Sequence, residues 1–109
     1  EIDRIVLPSL VQHLKIINNE DFQMQNLQIT ELFLKRHGDE FIQKYVELGG
    51  LERCIELYRT ARTVEFMRAA AEIILLFANS PDYRGTLVQV GNQSLMKGLV
   101  KNYHPSNSK

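Results

Sequence analysis

The sequence predicts an all-α fold, an alpha–alpha superhelix of about seven helices. The first observation is a helical pattern that recurs after 44 residues. Its matched positions are Leu7 and Leu51, Leu10 and Cys54, Val11 and Ile55, Leu14 and Tyr58, Phe22 and Phe66, Leu27 and Ala71, Ile29 and Ile73, Leu32 and Leu76, and Phe33 and Phe77. The second is that no segment alternates with period two over strand length. Helical units of this length bury their apolar faces by stacking on one another.

The first unit is predicted to contain two helices. Pro8 is tolerated in the first turn of a helix, so we expect the first helix over residues 7–18. Asn19 or Asp21 can cap the next helix, which we expect over residues 22–36.

Glycines mark the boundaries of the next two helices. Gly38 suits the end of one helix, and a short helix over residues 39–48 follows. Gly49 and Gly50 allow a sharp change of direction into a helix over residues 51–61.

The last part of the chain is predicted to contain one long and two short helices. Thr63 can cap a helix over residues 63–79, and Pro81 cannot continue it. The short helices are expected over residues 83–90 and 94–103.

The length of 109 residues suits one domain, which we place at residues 1–103. It divides into a partial repeat 1–37, a full repeat 38–80 and a partial repeat 81–103. The polar residues 104–109 are expected to form a flexible tail. The partial repeats suggest a slice of a longer solenoid.

Composition narrows the class of protein. The 13 basic and 13 acidic residues give no net charge. This balance argues against a nucleic-acid partner, because binding to phosphates requires an excess of basic residues. No apolar run approaches the 18 residues of a membrane span, so no membrane association is expected. Cys54 is the single cysteine, which fits a reducing compartment, cytoplasmic or nuclear.

Four segments resemble the armadillo (ARM or HEAT-like) helical repeat family. Residues 6–14, VLPSLVQHL, resemble the start of the family's second helix. Residues 46–51, VELGGL, and residues 88–91, VQVG, resemble its junction between first and second helices. Residues 70–78, AAEIILLFA, are similar to its third helix. The resemblance implies a protein-binding scaffold whose third helices line a concave surface.

The positions at which this family binds extended peptides hold other residues here. The resemblance aligns Leu32 and Leu76 with the family's asparagines, and Gln28 and Glu72 with its tryptophans. The chain contains no tryptophan. We therefore expect Leu32 and Leu76 to lie between the helical layers.

No residue pattern predicts catalysis. The histidines His13, His37 and His104 are far apart and show no zinc-binding spacing. Cys54 occupies a predicted core position and has no assigned base. We expect no enzyme activity, no metal and no cofactor.

The predicted function is a non-catalytic interaction scaffold that binds a protein or peptide partner on the concave ridge of the long third helices. The predicted partner-binding residues are Gln25, Gln28, Glu31, Lys35, Arg68, Glu72 and Asn79. One alternative is a structural segment that self-associates, as a homo-oligomer, through exposed repeat ends. The residues predicted for that contact are Ile2, Ile5, Val6, Leu95, Met96, Leu99 and Val100. The other alternative is a helical nucleic-acid-binding module that uses Arg59, Arg62, Arg68, Lys97 and Lys101.

Overall fold

The computed structural model describes the backbone of residues 2–102 and the side chains of residues 4–94. This part of the chain is helical and contains no strand, so the all-α prediction is confirmed for it. The helices are α1 (Ile2–Ile16), α2 (Glu20–His37), α3 (Asp39–Glu47), α4 (Gly50–Thr60), α5 (Val64–Ala78) and α6 (Arg84–Asn102).

The starts of α2 and α5 are capped by the residues that the sequence predicts. The Phe22 backbone N–H donates to the Asn19 side chain at 2.9 Å. The Phe66 backbone N–H donates to the Thr63 hydroxyl at 3.1 Å. Each cap satisfies a donor that the first turn of a helix cannot pair internally.

The turn between α3 and α4 depends on both of its glycines. Gly49 has φ +89°, in the left-handed region that favours glycine. A Cβ atom at Gly50 would overlap the ring of Tyr45. The turn therefore combines an unusual backbone angle with a close approach between α4 and a buried aromatic ring.

Helices of the two units pack in corresponding pairs. α1 packs on α2 and α4 packs on α5, while α1 also contacts α4 and α2 contacts α5. α3 lies against α1, α2 and α4, and α6 lies against α4 and α5. The core runs between these helices, with Leu7, Leu27, Leu51, Ile73 and Phe77 fully buried.

The buried faces of the two units correspond at an offset of 43 residues, not 44. On α1 and α4 the buried pairs are Leu7 and Gly50, Val11 and Cys54, and Leu14 and Leu57. On α2 and α5 they are Gln23 and Phe66, Asn26 and Ala69, Leu27 and Ala70, Thr30 and Ile73, and Leu34 and Phe77. A shift of one residue rotates a helical position by about 100°. It therefore changes which side chains of α2 face outward.

The core position predicted for Leu32 is wrong. Leu32 is 68% exposed, whereas Leu34 is fully buried. Leu76 is partly buried and packs against the core. The cause lies in the inner face of α2, which carries polar residues. The Asn26 amide donates to the Leu10 carbonyl at 2.9 Å, and the Thr30 hydroxyl donates to the Asn26 side-chain oxygen at 3.3 Å.

The largest differences from the predicted helix bounds are in α1 and α6. α1 begins at Ile2, so Pro8 lies inside the helix and not in its first turn. α6 is one continuous helix through Gly91, where the sequence predicts a break between two short helices. The described residues therefore form six helices where the sequence predicts seven. The sequence around Gly91 resembles a junction between two helices, but the backbone there is continuous helix.

Candidate functional site

The outward faces of α2 and α5 form the candidate site, which we call the α2–α5 ridge. Most of the predicted partner-binding residues are exposed on it. They are Gln25, Gln28, Lys35, Arg68, Glu72 and Asn79, and Glu31 is half-buried beside them. The ridge is continuous because α2 and α5 pack directly against each other.

Charged side chains of α2 and α5 lie near one another on the ridge. The Lys35 ammonium lies 2.9 Å from a carboxylate oxygen of Glu31, one turn earlier on α2. The hydrogen bond to Glu31 and its charge raise the pKa of Lys35, and the charge of Glu72 on α5 adds to this effect. The structure therefore brings together three residues that the sequence predicts for one surface. It also leaves the positive charge of Lys35 balanced by acids of the protein itself.

The ridge also carries exposed apolar side chains, among them Leu32, which was predicted to lie between the helical layers. Ile29 is 54% exposed and Leu32 68% exposed on α2, and Leu75 is 46% exposed on α5. Leu32 and Leu75 are equivalent at the 43-residue offset. One signal was present in the sequence, since the apolar run of residues 73–77 is too long to face one side of a helix. At least one of those side chains had to point away from the core.

A groove of about 370 Å³ opens at the C-terminal end of α2. Its lining residues are Ile29, Leu32, Phe33, Arg36 and His37. The predicted site residues came from helical spacing and the geometry of the armadillo resemblance, and they do not include Phe33, Arg36 or His37.

Three rings pack together at one side of this groove. The ring centroids of Phe33 and His37 are 4.4 Å apart. Phe41 of α3 lies edge-on to both rings, with its centroid 5.4 Å from Phe33 and 5.0 Å from His37. The groove is thus lined by side chains of α2, and Phe41 of α3 packs against two of them, Phe33 and His37.

A second groove, of about 540 Å³, lies between α1 and α3. An ion pair between Arg4 and Glu40, at 3.4 Å, connects its two sides. Lys44 and Glu47 also line it, so both signs of charge are present within it. Because basic and acidic side chains both line this groove, its charge favours neither an anionic nor a cationic ligand.

Residues of the two alternative functions are only partly described. For self-association, Ile5 is 70% exposed and Val6 is partly buried. The side chains of Ile2, Leu95, Met96, Leu99 and Val100 lie outside the described residues. For nucleic-acid binding, Arg59 donates to the Ser94 hydroxyl at 3.1 Å, and Arg62 and Arg68 are exposed. Lys97 and Lys101 lie outside the described side chains.

Cys54 lies in the core, as predicted. Its sulfur is 3.1 Å from the Tyr45 hydroxyl. Burial raises the pKa of the Cys54 thiol to about 12, and burial likewise raises the pKa of Tyr45 well above its ordinary value of 10.0. A buried thiol that keeps its proton is a poor nucleophile. Within the described part of the chain, no three His, Cys, Asp or Glu side chains are grouped so that they could hold a metal ion.

Comparison with known proteins finds no matching family model, and no curated protein and no solved structure gives a match. None of the helices in the described residues combines the length and the apolar character that crossing a bilayer requires.

Proposed function

We propose that this chain is an armadillo-like helical repeat module, non-catalytic, that binds a protein or peptide partner on the α2–α5 ridge. The observation that carries the proposal is the exposure of Ile29, Leu32 and Leu75 on two long helices packed side by side. Exposed apolar side chains grouped among polar ones are typical of interaction surfaces.

The repeat geometry supports the armadillo-like part of the proposal. Equivalent helices of the two units contact each other, and their buried faces recur after 43 residues. A repeat of that length built from helices is typical of armadillo and HEAT solenoids, in which each unit packs only against its neighbours.

The ordered helix starts of the ridge support a role in binding. α2 and α5 both begin at capped ends and pack directly against each other. A surface that is already ordered loses little conformational entropy when a ligand binds. The buried, unpaired Cys54 fits a protein of the cytoplasm or the nucleus.

The proposal is tested by affinity capture from cell extract with three forms of the chain as bait. The ridge variant is Arg68→Glu. The matched control is Arg62→Glu, the same charge reversal in the exposed turn between α4 and α5. We expect a partner that binds wild type and Arg62→Glu equally well. Its binding to Arg68→Glu should be weaker by about 1–3 kcal/mol. Quantitative mass spectrometry of the captured proteins measures the difference.

The same baits separate this function from nucleic-acid binding. A ligand held by phosphate contacts would be weakened similarly by both reversals, and its affinity would fall steeply with salt concentration. A protein ligand on a ridge of mixed charge should show a moderate salt dependence. If both variants lose the ligand equally, the assignment of the binding site to the α2–α5 ridge is wrong.

Self-association is the second candidate, and the exposure of Ile5 on α1 favours it. Sedimentation velocity over a range of concentrations tests it, with Ile5→Ser as the variant. If the α1 surface joins two copies, wild type should show a concentration-dependent increase in sedimentation coefficient that Ile5→Ser reduces. A coefficient that stays constant for both proteins would eliminate this candidate.

A further inference from the structure

The groove at the end of α2 is positively charged and has no acid in its lining. Arg36 is exposed there, and among the described residues its guanidinium has no ion pair and no hydrogen bond. The neighbouring Lys35 differs, because Glu31 and Glu72 balance its charge. Arg36 is therefore a cation that is available to a ligand at this groove.

Building on the proposed function, we propose that this groove binds an extended peptide segment of a partner protein. The segment carries a large apolar side chain two residues away from an aspartate or a glutamate. The apolar side chain lies on Ile29 and Leu32, and the carboxylate binds Arg36.

The spacing of two residues follows from the geometry of helix and strand. Leu32 and Arg36 are separated by four residues, which is about 6 Å along a helix. Alternate side chains of an extended peptide point to the same side and are about 6.6 Å apart. An apolar residue and an acid two positions apart therefore reach Leu32 and Arg36 together, in either chain direction. Residues that are directly adjacent in the peptide would point to opposite sides.

The chemistry of the groove selects the two ligand groups. A carboxylate matches the paired donors of a guanidinium, and the resulting hydrogen bonds are strengthened by charge. A lysine or arginine at the same ligand position would meet Arg36 with no lining carboxylate to offset the repulsion. An apolar ligand side chain would remove Ile29 and Leu32 from water, both of which are more than half exposed in the free protein.

The experiment is a selection from a random dodecapeptide library displayed on phage, with the 109-residue chain as the target. Four variants are selected in parallel, namely Leu32→Ser, Arg36→Glu, the ridge variant Arg68→Glu and the control Arg62→Glu. Both groove side chains are exposed, so the variants should keep the wild-type circular dichroism spectrum. We expect wild type and Arg62→Glu to enrich peptides with an apolar residue and an acid at a spacing of two.

Synthetic peptides from the enriched pool then give the affinities. Leu32→Ser should bind them about ten-fold or more weakly, as for the loss of a central apolar contact. Arg36→Glu should lose the preference for an acid and enrich basic residues at that position. Enriched peptides without the spaced pair, or equal binding to wild type and Leu32→Ser, would overturn the assignment.

The same selection distinguishes this inference from the proposed function. Peptides that require Arg68 but bind Leu32→Ser and Arg36→Glu normally would overturn the groove and leave the ridge in place. A selection that enriches no peptide would overturn the groove alone, because the ridge is tested separately by the capture of protein partners. Peptides that bind all four variants equally would place the binding site outside both the groove and the ridge.

Discussion

Leu32 and Leu34 lie two residues apart on α2 and have opposite environments. Leu34 is fully buried in the core, and Leu32 is 68% exposed on the ridge. Two positions along a helix differ by about 200° around its axis, so such a pair separates the two faces of α2. One substitution can therefore test the stability of the protein, and the other can test its surface.

We expect Leu34→Ala to lower the free energy of unfolding by about 2–5 kcal/mol, because it leaves a cavity in the core. Leu32→Ala should change it by less than about 0.5 kcal/mol, because the side chain is already in contact with water. Chemical denaturation monitored by circular dichroism measures both values. A large loss of stability in Leu32→Ala would mean that the side chain lies between layers after all.

The buried pair of Cys54 and Tyr45 should make the protein less stable at alkaline pH. Burial raises the pKa of Cys54 from its ordinary value of 9.0 to about 12, and that of Tyr45 above 10.0. Below about pH 9 both groups are protonated in the folded and the unfolded chain. Between about pH 9 and pH 12 the unfolded chain loses protons that the folded chain keeps, so the free energy of unfolding falls as pH rises.

Denaturation at pH 8, 9 and 10 measures this dependence. Cys54→Ala should start from a lower stability and lose less of it over the same pH range. A thiol reagent such as dithionitrobenzoate should react with Cys54 in the unfolded protein and not in the folded protein at pH 8. Rapid reaction of the folded protein would contradict the burial of the thiol.

At the scale of single helices, local signals predict most of the boundaries. Asn19 and Thr63 cap the helices that the sequence assigns to them, because a cap depends on a side chain and a backbone N–H three residues later. The turn before α4 is also predicted by a local signal, the adjacent residues Gly49 and Gly50. Gly91 misled the prediction because a single glycine inside a helix and a glycine at a junction have the same sequence signal. Packing decides between them.

The inner face of α2 shows why the ridge was only partly predictable. Exposed polar residues such as Gln25 and Gln28 were assigned correctly to the surface. Asn26 and Thr30 are polar and buried, and they satisfy one another and the Leu10 carbonyl. Hydrophobic spacing cannot identify such a face, because the compensating partners lie on another helix. Leu32 was therefore predicted to lie between the helical layers, although it faces outward together with Ile29.

Two glycine substitutions test the helix assignments directly. Gly91→Ala should stabilise the protein by about 0.5–1 kcal/mol, since Gly91 lies inside α6 and a Cβ there meets nothing within 4 Å. Gly50→Ala should destabilise it, because the new Cβ would overlap the ring of Tyr45. Thermal unfolding of both variants gives the sign of each change. Destabilisation by Gly91→Ala would indicate a junction at that position.

At the scale of the whole molecule, basic side chains of one unit complete helix ends of the other. The Arg53 guanidinium on α4 donates to the Leu14 carbonyl at the end of α1, at 3.2 Å. The Lys15 ammonium on α1 donates to the Leu48 carbonyl after α3, at 2.7 Å. The last carbonyls of a helix lack internal partners, and positive charge there is favourable. These two bonds link the α1–α2 pair to the rest of the molecule in both directions.

Removing these two hydrogen bonds should weaken the packing between the α1–α2 pair and the α4–α5 pair. It should affect the packing within each pair less. Under the proposed repeat arrangement, total stability is roughly the sum of unit and interface contributions. We expect Arg53→Met to cost about 1.5–3 kcal/mol, as for a hydrogen bond from a charged group, part of it through the lost ion pair with Glu56. Lys15→Met should cost less, because Lys15 is exposed.

Hydrogen exchange measured by mass spectrometry shows where that stability is lost. In the double variant, amides of α1 and α2 should exchange faster than those of α4 and α5, because the first pair can open while the second stays folded. Lys44→Met is the control, since Lys44 pairs with Glu47 of its own helix at 3.9 Å. That variant should leave the exchange pattern unchanged. If all four helices lose protection equally in the double variant, the molecule opens as one unit. The interface between the pairs would then not be its weakest connection.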